Sequence, residues 1–507
     1  MNNKLLHTIG FILILLAIYI WADFYHILQL SPRGIHFIRQ VDSLSFTENY
    51  FLHGYDFFEP HVFNLNSKEG KAACEFPLIY YICAKFYYVF GNEYWVQRLF
   101  NLLISTVGFI SFFWMCRRVL NDWLLSIVTT ILVLSSTVVL YYSSNALVDS
   151  SALGFCFIGL NLFFKSSSSN KRMMFLSFAY FSLLLSTLLK VTFGIFPLCI
   201  FLIVFSDFVP PYQKEKRPAR SILYVNVLLL LLSILAVSSW YSFAIDYNLK
   251  NGDNYFLTTI SPYWNLSIDN RAHVFEALTN GWRTSFYYPQ IFQLIGMGII
   301  LSAVFFKRVS NELLLFSVFS LAGITCYLIL FFGQFKDHDY YFLPCVPFCA
   351  VILLMLMQLI GKLERKWLIG ILKLLLIGVC VASLNYSLIK LEGRYVQGID
   401  KYEFPSYDLS AVSSILQRSN IESDSRFLVI GDLSPNGVLY FLRRKGYSFK
   451  DEAELNRRID KEQIIKDCNY LILDNMHNLN SSLDQFQTDH ILQVGRWTIY
   501  RNRYSKE

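Results

Sequence analysis

Residues 221–244 read SILYVNVLLLLLSILAVSSWYSFA, an apolar run without a charged side chain, and Lys214, Lys216, Arg217 and Arg220 crowd the stretch just before it. A helix of about 20 such residues crosses the hydrocarbon core of a bilayer. The run therefore reads as a transmembrane helix, and the basic cluster as the loop at one of its ends. The same pattern recurs along the chain. Apolar segments near 5–22, 96–116, 123–143, 147–165, 173–189, 191–208, 288–306, 311–332, 341–360 and 367–388 qualify or come close, which with 221–244 makes about eleven spans.

Composition agrees. Of 507 residues, 54% are hydrophobic and 16% charged, against roughly 45–50% and 25% in a soluble domain. The 46 Phe and 32 Tyr suit lipid-facing packing and the aromatic belt at the membrane surface. The net charge of +7 sits in short clusters between apolar runs, so it is loop charge and gives no sign of a nucleic-acid partner. Of the ten cysteines, Cys83, Cys116, Cys156, Cys199, Cys326, Cys345, Cys349 and Cys380 lie in or beside apolar runs and read as small buried hydrophobes. Cys74 and Cys468 fall outside the runs, with no CxxC pair and no His at metal-ligand spacing. The amino-terminal run 5–21 is followed by no small-residue cleavage site, so it is expected to stay as an anchor.

Orientation follows from the loops, because short cytoplasmic connections collect Lys and Arg. Alternate connections carry Arg117–Arg118, Lys165 with Lys171–Arg172, the 214–220 cluster, Lys307–Arg308, and Lys362 with Arg365–Lys366. The intervening set holds a long segment, 23–95, a nearly uncharged link at 143–146, the 189–191 junction, the stretch 245–287 and the short link 333–339. That second set is expected outside the cytoplasm, with the amino terminus inside. An odd number of spans then places everything after Leu388 outside as well. The expected division is a membrane domain over 1–390 and a small α/β domain over 391–507. In the latter, strand-like runs at 426–430, 470–473 and 497–500 alternate with helical patterns at 437–444 and 451–465. The fold class is thus mainly α, a polytopic helical membrane protein with an extracytoplasmic α/β tail. The Gly431–Pro435 turn after the first tail strand lacks the glycine spacing of a dinucleotide site.

The candidate chemistry gathers on one face. Residues 35–54 read as an amphipathic helix stopped by Gly54, with Phe37, Val41 and Leu44 on one stripe and Arg39, Asp42 and Ser43 on another. Arg39 and Asp42 by themselves could be a surface ion pair, worth little. Asp149 stands at the outer end of a span, where a carboxylate needs a partner, water or a function. Lys190 sits between two apolar runs, where a lysine can snorkel to the interface. Asp337, His338 and Asp339 precede Tyr340 and Tyr341 in a short outer link, which also fits a solvated turn with an aromatic belt. Arg39, Asp42, Asp149, Lys190 and His338 come from five distant segments, and the topology assigns them all to the same membrane face. Carboxylates beside cations at headgroup level suit an anionic lipid substrate and a hydroxyl that must lose its proton.

Ile38-Arg39-Gln40-Val41-Asp42, followed by Asn49-Tyr50, His53-Gly54 and Phe57-Phe58-Glu59-Pro60, resembles the Arg-Gln-x-Asp first outer loop of bacterial GT-C-fold glycosyltransferases. That group includes the protein O-mannosyltransferases and the lipid A aminoarabinose transferase. Glu75-Phe76-Pro77-Leu78-Ile79-Tyr80, Asn145-Ala146-Leu147-Val148-Asp149, Leu189-Lys190-Val191-Thr192 and the 338–344 run resemble later outer-face motifs of the group, in order, over roughly residues 5–390. The first motif carries a single Asp where the eukaryotic mannosyltransferases have Asp-Glu, so their acceptor and metal requirements do not carry over. The resemblance implies transfer of a sugar from a polyprenyl-phosphate donor to a lipid, glycan or protein acceptor, with inversion at the anomeric carbon. It makes Asp42 and Asp149 the catalytic pair and gives the donor phosphate to Arg39, Lys190 and His338. Gln40, Glu75, Tyr340 and Tyr341 are then substrate-binding. No cofactor is implied, and a divalent metal is left open. Two other classes remain: a polytopic transporter or flippase, whose charges usually lie near the bilayer midplane in repeated halves, and a non-catalytic glycan-assembly subunit. The Lys-, Asn- and Ile-rich usage fits a bacterial inner membrane.

Overall fold

A computed structural model describes residues 3–167, 169–209, 219–256, 260–403, 412, 416, 421–422, 424–474 and 487–503; Lys214, Lys216 and Arg217 of the basic cluster lie outside them. The chain forms two compact units, one of Met1–Leu28, Arg98–Tyr241 and Thr259–Gly393, the other of Gln29–Gln97, Ser242–Thr258 and Arg394–Glu507.

Among the described residues, six helices are long and apolar enough to cross a bilayer: Tyr94–Leu120, Arg172–Leu189, Arg220–Asn251, Asn311–Leu330, Asp339–Gly361 and Lys366–Arg394. Two bent pairs raise the number to as many as eight, and Leu5–Trp21, Leu78–Phe90 and Val191–Ser206 are shorter apolar helices. The stretch 123–143, which reads as one span, is broken into Trp123–Leu134 and Thr137–Ser143 at an angle of 79°. Serines make the break tolerable, because a backbone opened inside the bundle must find new partners. Ser387 Oγ donates to the Ser135 carbonyl at 2.6 Å, Ser135 Oγ meets Ser383 Oγ at 2.8 Å, and Ser136 Oγ donates to the Phe286 carbonyl at 2.6 Å. Cys326, expected inside, is exposed on its helix, whereas Cys74 and Cys468 are buried although they lie outside the apolar runs.

Small residues set the position of the helix that begins at Asp149. A Cβ on Gly154 would stand 2.6 Å from the Ile104 carbonyl oxygen, and one on Gly108 2.4 Å from the Gly154 Cα. Helices Tyr94–Leu120 and Asp149–Ser166 therefore touch backbone to backbone, the contact that small residues permit in membranes. Gly154→Ala is expected to destabilise the protein by about 1–3 kcal/mol, measured as a lowered melting temperature in detergent.

In the second unit, helix Phe37–His53 ends where its sequence indicates, at Gly54 with φ 63° and ψ 28°. The tail carries a five-stranded sheet of β1 (Phe427–Ile430), β2 (Gly446–Phe449), β3 (Tyr470–Asp474), β4 (Gln487–Val494) and β5 (Trp497–Asn502), in the order β2-β1-β3-β5-β4. β1 runs parallel to β2 and β3, while β5 is antiparallel to β3 and β4. One face buries Leu428, Ile430, Phe449, Ile464, Ile465 and Leu471. β2 and β4 were not legible as strands, and 451–465 proves to be two short helices, Glu452–Asn456 and the start of Lys461–Asp467. The outer loop covers the β2 edge: Leu65 N donates to the Gly446 carbonyl at 2.7 Å, and Gly446 N to the Phe63 carbonyl at 3.2 Å.

Candidate active site

Each unit holds one cluster of the expected residues. In the second unit, Asp42 is 1% exposed on helix Phe37–His53. Its Oδ1 accepts from Asn436 Nδ2 at 2.9 Å and its Oδ2 from the Tyr255 hydroxyl at 2.9 Å, with the Arg39 guanidinium 3.9 Å away. Arg39 also donates to both oxygens of Glu75 at 3.4 Å, and the Tyr80 hydroxyl donates to Glu75 Oε1 at 2.5 Å. Burial raises the Asp42 carboxyl; the Arg39 charge and the two hydrogen bonds pull it partly back, and it stands pushed up to about 6. A carboxylate has about four lone-pair sites. With two in use, Asp42 can still accept a proton.

Gln40, on the same helix, is turned to another task. Its amide donates to the carbonyls of Arg33 and Ile35 at 2.7 and 3.1 Å, which holds the chain that enters the helix.

Tyr255 and Asn436 were not among the residues singled out in the sequence. Asn436 lies just beyond the Gly431–Pro435 turn, and the turn explains its aim. Asp432 Oδ1 accepts from Ser434 N at 2.8 Å and its Oδ2 from Val438 N at 2.8 Å, which closes the turn and starts helix Gly437–Leu442. The Asn436 side-chain carbonyl accepts in turn from Asn64 N at 3.1 Å. Tyr255 and Asn436 also line a cavity of about 370 Å³, with Asn66, Asp253, Asn254 and Lys450 among its other walls. Its amides, carboxylates and ammonium group suit a polar, hydroxyl-bearing ligand. A second buried acid, Glu48, is pushed up to about 7 by burial, which outweighs the Arg443 charge and the Asn92 hydrogen bond. Those two partners, at 3.4 and 2.5 Å, tie it into the packing of the unit.

In the first unit, Asp149 is 2% exposed in the opening turn of its helix and pairs with Lys190 Nζ at 2.9 Å. The turn before it is clamped by Asn101, whose amide donates to the carbonyls of Asn145 and Leu147 at 3.1 and 3.0 Å. The Lys190 ammonium lies 4.6 Å from the ring centre of Tyr340 and 5.0 Å from that of Tyr341. His338 stacks on Tyr340 with centroids 5.2 Å apart. Of the acids flanking His338, Asp337 is exposed, while Asp339 is fully buried and accepts from the Tyr142 hydroxyl at 2.5 Å. The link is a built corner and not a solvated turn. Among the described residues, no three His, Cys, Asp or Glu side chains converge as a metal-holding group.

No family model matches the sequence, and no curated protein sequence does. Solved structures do. The chain is similar to ArnT from Cupriavidus metallidurans bound to undecaprenyl phosphate, at 13% identity and a TM-score of 0.62, over 98% of this chain and 99% of that one. It is similar to the oligosaccharyltransferase AglB from Archaeoglobus fulgidus in complex with an inhibitory peptide and a dolichol-phosphate, at 11% identity and a TM-score of 0.53, over 91% of this chain and 69% of that one. The mycobacterial arabinofuranosyltransferase AftD matches at 12% identity and a TM-score of 0.52, over 96% of this chain and 39% of that one. At these identities the likeness is one of fold: this is an integral membrane protein of GT-C-like architecture with a small α/β tail.

Proposed function

We propose that the protein is a membrane glycosyltransferase that moves a sugar from a polyprenyl-phosphate donor to a hydroxyl on a lipid, glycan or protein acceptor. The observation that carries this reading is Asp42: a buried carboxylate, held by two neutral donors and one guanidinium, whose partners Tyr255 and Asn436 line a cavity. The acceptor hydroxyl gives its proton to Asp42 as its oxygen bonds to the anomeric carbon. The bond from that carbon to the phosphate oxygen breaks, and its electrons leave with the polyprenyl phosphate. One direct displacement inverts the anomeric centre. The leaving group is already a stable anion, so one base suffices where a glycosidase needs two carboxylates. Lys190, oriented by Asp149 and the two tyrosine faces, is the group suited to hold the phosphate, with His338 beside it. Arg39, anchored by Glu75, sets the charge around the base. The undecaprenyl phosphate in ArnT and the dolichol-phosphate in AglB support a lipid-phosphate donor. The proposed setting is a bacterial inner membrane, with the amino terminus cytoplasmic and the tail outside.

The test is sugar release by purified protein from a panel of radiolabelled polyprenyl-phosphate sugars. Turnover of one donor supports the proposal; no turnover, together with solute movement by reconstituted vesicles, makes the protein a transporter. Because the base must be deprotonated, kcat/KM is expected to fall as the pH drops below about 6, following the raised Asp42 carboxyl. Asn436→Ala removes a donor that favours the charged form, so the acidic limb of that profile should move to higher pH.

A further inference from the structure

A second cavity lies at the basic end of the first unit, and the transferase reading leaves it unused. It measures about 770 Å³ and opens among helices Asn3–Trp21, Tyr94–Leu120 and Asp149–Ser166. Arg117, Arg118 and Lys165 line it together with His7, Thr8 and Asn161, and no carboxylate is among its described walls. Arg117 decides the matter. Its Nε and Nη1 are buried and donate to no acceptor among the described residues, a state that native proteins rarely leave uncompensated.

Arg118 and Lys165 add two more basic side chains to the same walls. Arg118 donates to the Asn161 carbonyl and side-chain oxygen, both at 3.2 Å, and the Lys165 ammonium lies 4.1 Å from the ring centre of Phe175. Asn161 is neutral, so these bonds leave the Arg118 charge in place. The carboxylate nearest in sequence, Asp122, is committed to Lys373 at 2.5 Å and to the start of helix Trp123–Leu134. An anion is thus called for, and the guanidinium fork matches phosphate geometry. The surroundings decide what carries it. Leu5 is a wall of the cavity, and from it Leu5, Ile9, Leu13, Leu16 and Ile20 form an exposed apolar stripe along the first helix. An acyl chain would lie along that stripe with its headgroup in the cavity.

We propose that this cavity binds the phosphate headgroup of an anionic membrane lipid, as basic pockets between transmembrane helices do. Neither Asp42 nor Lys190 is among its walls, and the proposal holds whether or not the protein transfers sugars.

The experiment uses the full chain in detergent and records thermal shifts with dioctanoyl phosphatidylglycerol, dioctanoyl phosphatidylcholine and inorganic phosphate. Phosphatidylglycerol is expected to give a saturable rise in melting temperature that the other two do not. Arg117→Gln should weaken its apparent affinity by about tenfold or more. Should Arg117→Gln unfold, Lys165→Gln, which changes only the edge of the cavity, should weaken binding severalfold. Equal shifts with inorganic phosphate would make this a free-phosphate site and overturn the lipid assignment. A phosphatidylcholine response as large, no saturable shift, or unaltered affinity in the variants would overturn it too.

Discussion

Asp42→Asn is expected to slow sugar transfer by about 10²- to 10⁴-fold, the usual contribution of a positioned base, without lowering the melting temperature. The two halves of that expectation rest on the same burial. In the folded chain the Asp42 carboxyl is pushed up to about 6 from an ordinary value of 3.8, so the folded state binds its proton more tightly than the unfolded state does. The stability this group contributes is present below the unfolded value and is lost as pH rises through about 6. At neutral pH the charged, buried carboxylate therefore works against folding, and an amide of the same shape removes that penalty. The amide oxygen can still accept from Asn436 or from Tyr255. The check is sugar release beside a thermal scan at pH 7.5. Activity lost with stability kept or raised marks Asp42 as the base. A parallel fall in both would mean that the residue holds the unit together.

Lys190→Ala should have the largest effect on stability. It leaves the Asp149 carboxylate, 3% exposed, without the cation 2.9 Å from it. Removing one partner of a buried ion pair typically costs about 3–5 kcal/mol, whereas replacing both with neutral groups of similar size is often close to neutral. Asp149→Asn with Lys190→Met should therefore melt well above Lys190→Ala. The double variant also separates structure from function. If Lys190 holds the donor phosphate, the folded double variant binds polyprenyl-phosphate sugar more weakly than wild type does. If it binds and turns over the donor normally, the pair is structural and the phosphate is held by other groups.

These experiments also bear on the transporter alternative. A transport gate built on Asp149 and Lys190 would lose solute movement in the double variant, whereas Asp42→Asn would leave that movement intact.

The sequence by itself determined the class of this protein. Long uncharged apolar runs have one low-energy place to go, a bilayer, and their length makes them helices, because only a helix satisfies its own backbone there. Local chemistry determined more: Gly54 as the stop of helix Phe37–His53, the strand character of 426–430, 470–473 and 497–500, and Asp42, Asp149 and Lys190 as polar groups in unusual places. Tertiary structure decided the rest. The kink at Ser135–Ser136 depends on Ser383, Ser387 and Phe286, which no window around 123–143 contains. β2 and β4 are too short or too polar to announce themselves and exist because neighbouring strands and the outer loop pair with them. Asp42 is poised by Tyr255 and Asn436, which lie 213 and 394 positions away along the chain. Side-chain periodicity and turn propensity act over a few residues, whereas burial and hydrogen bonding act between whatever the fold brings together. The identity of the acid was therefore local information, and its partners and its proton affinity belonged to the folded chain.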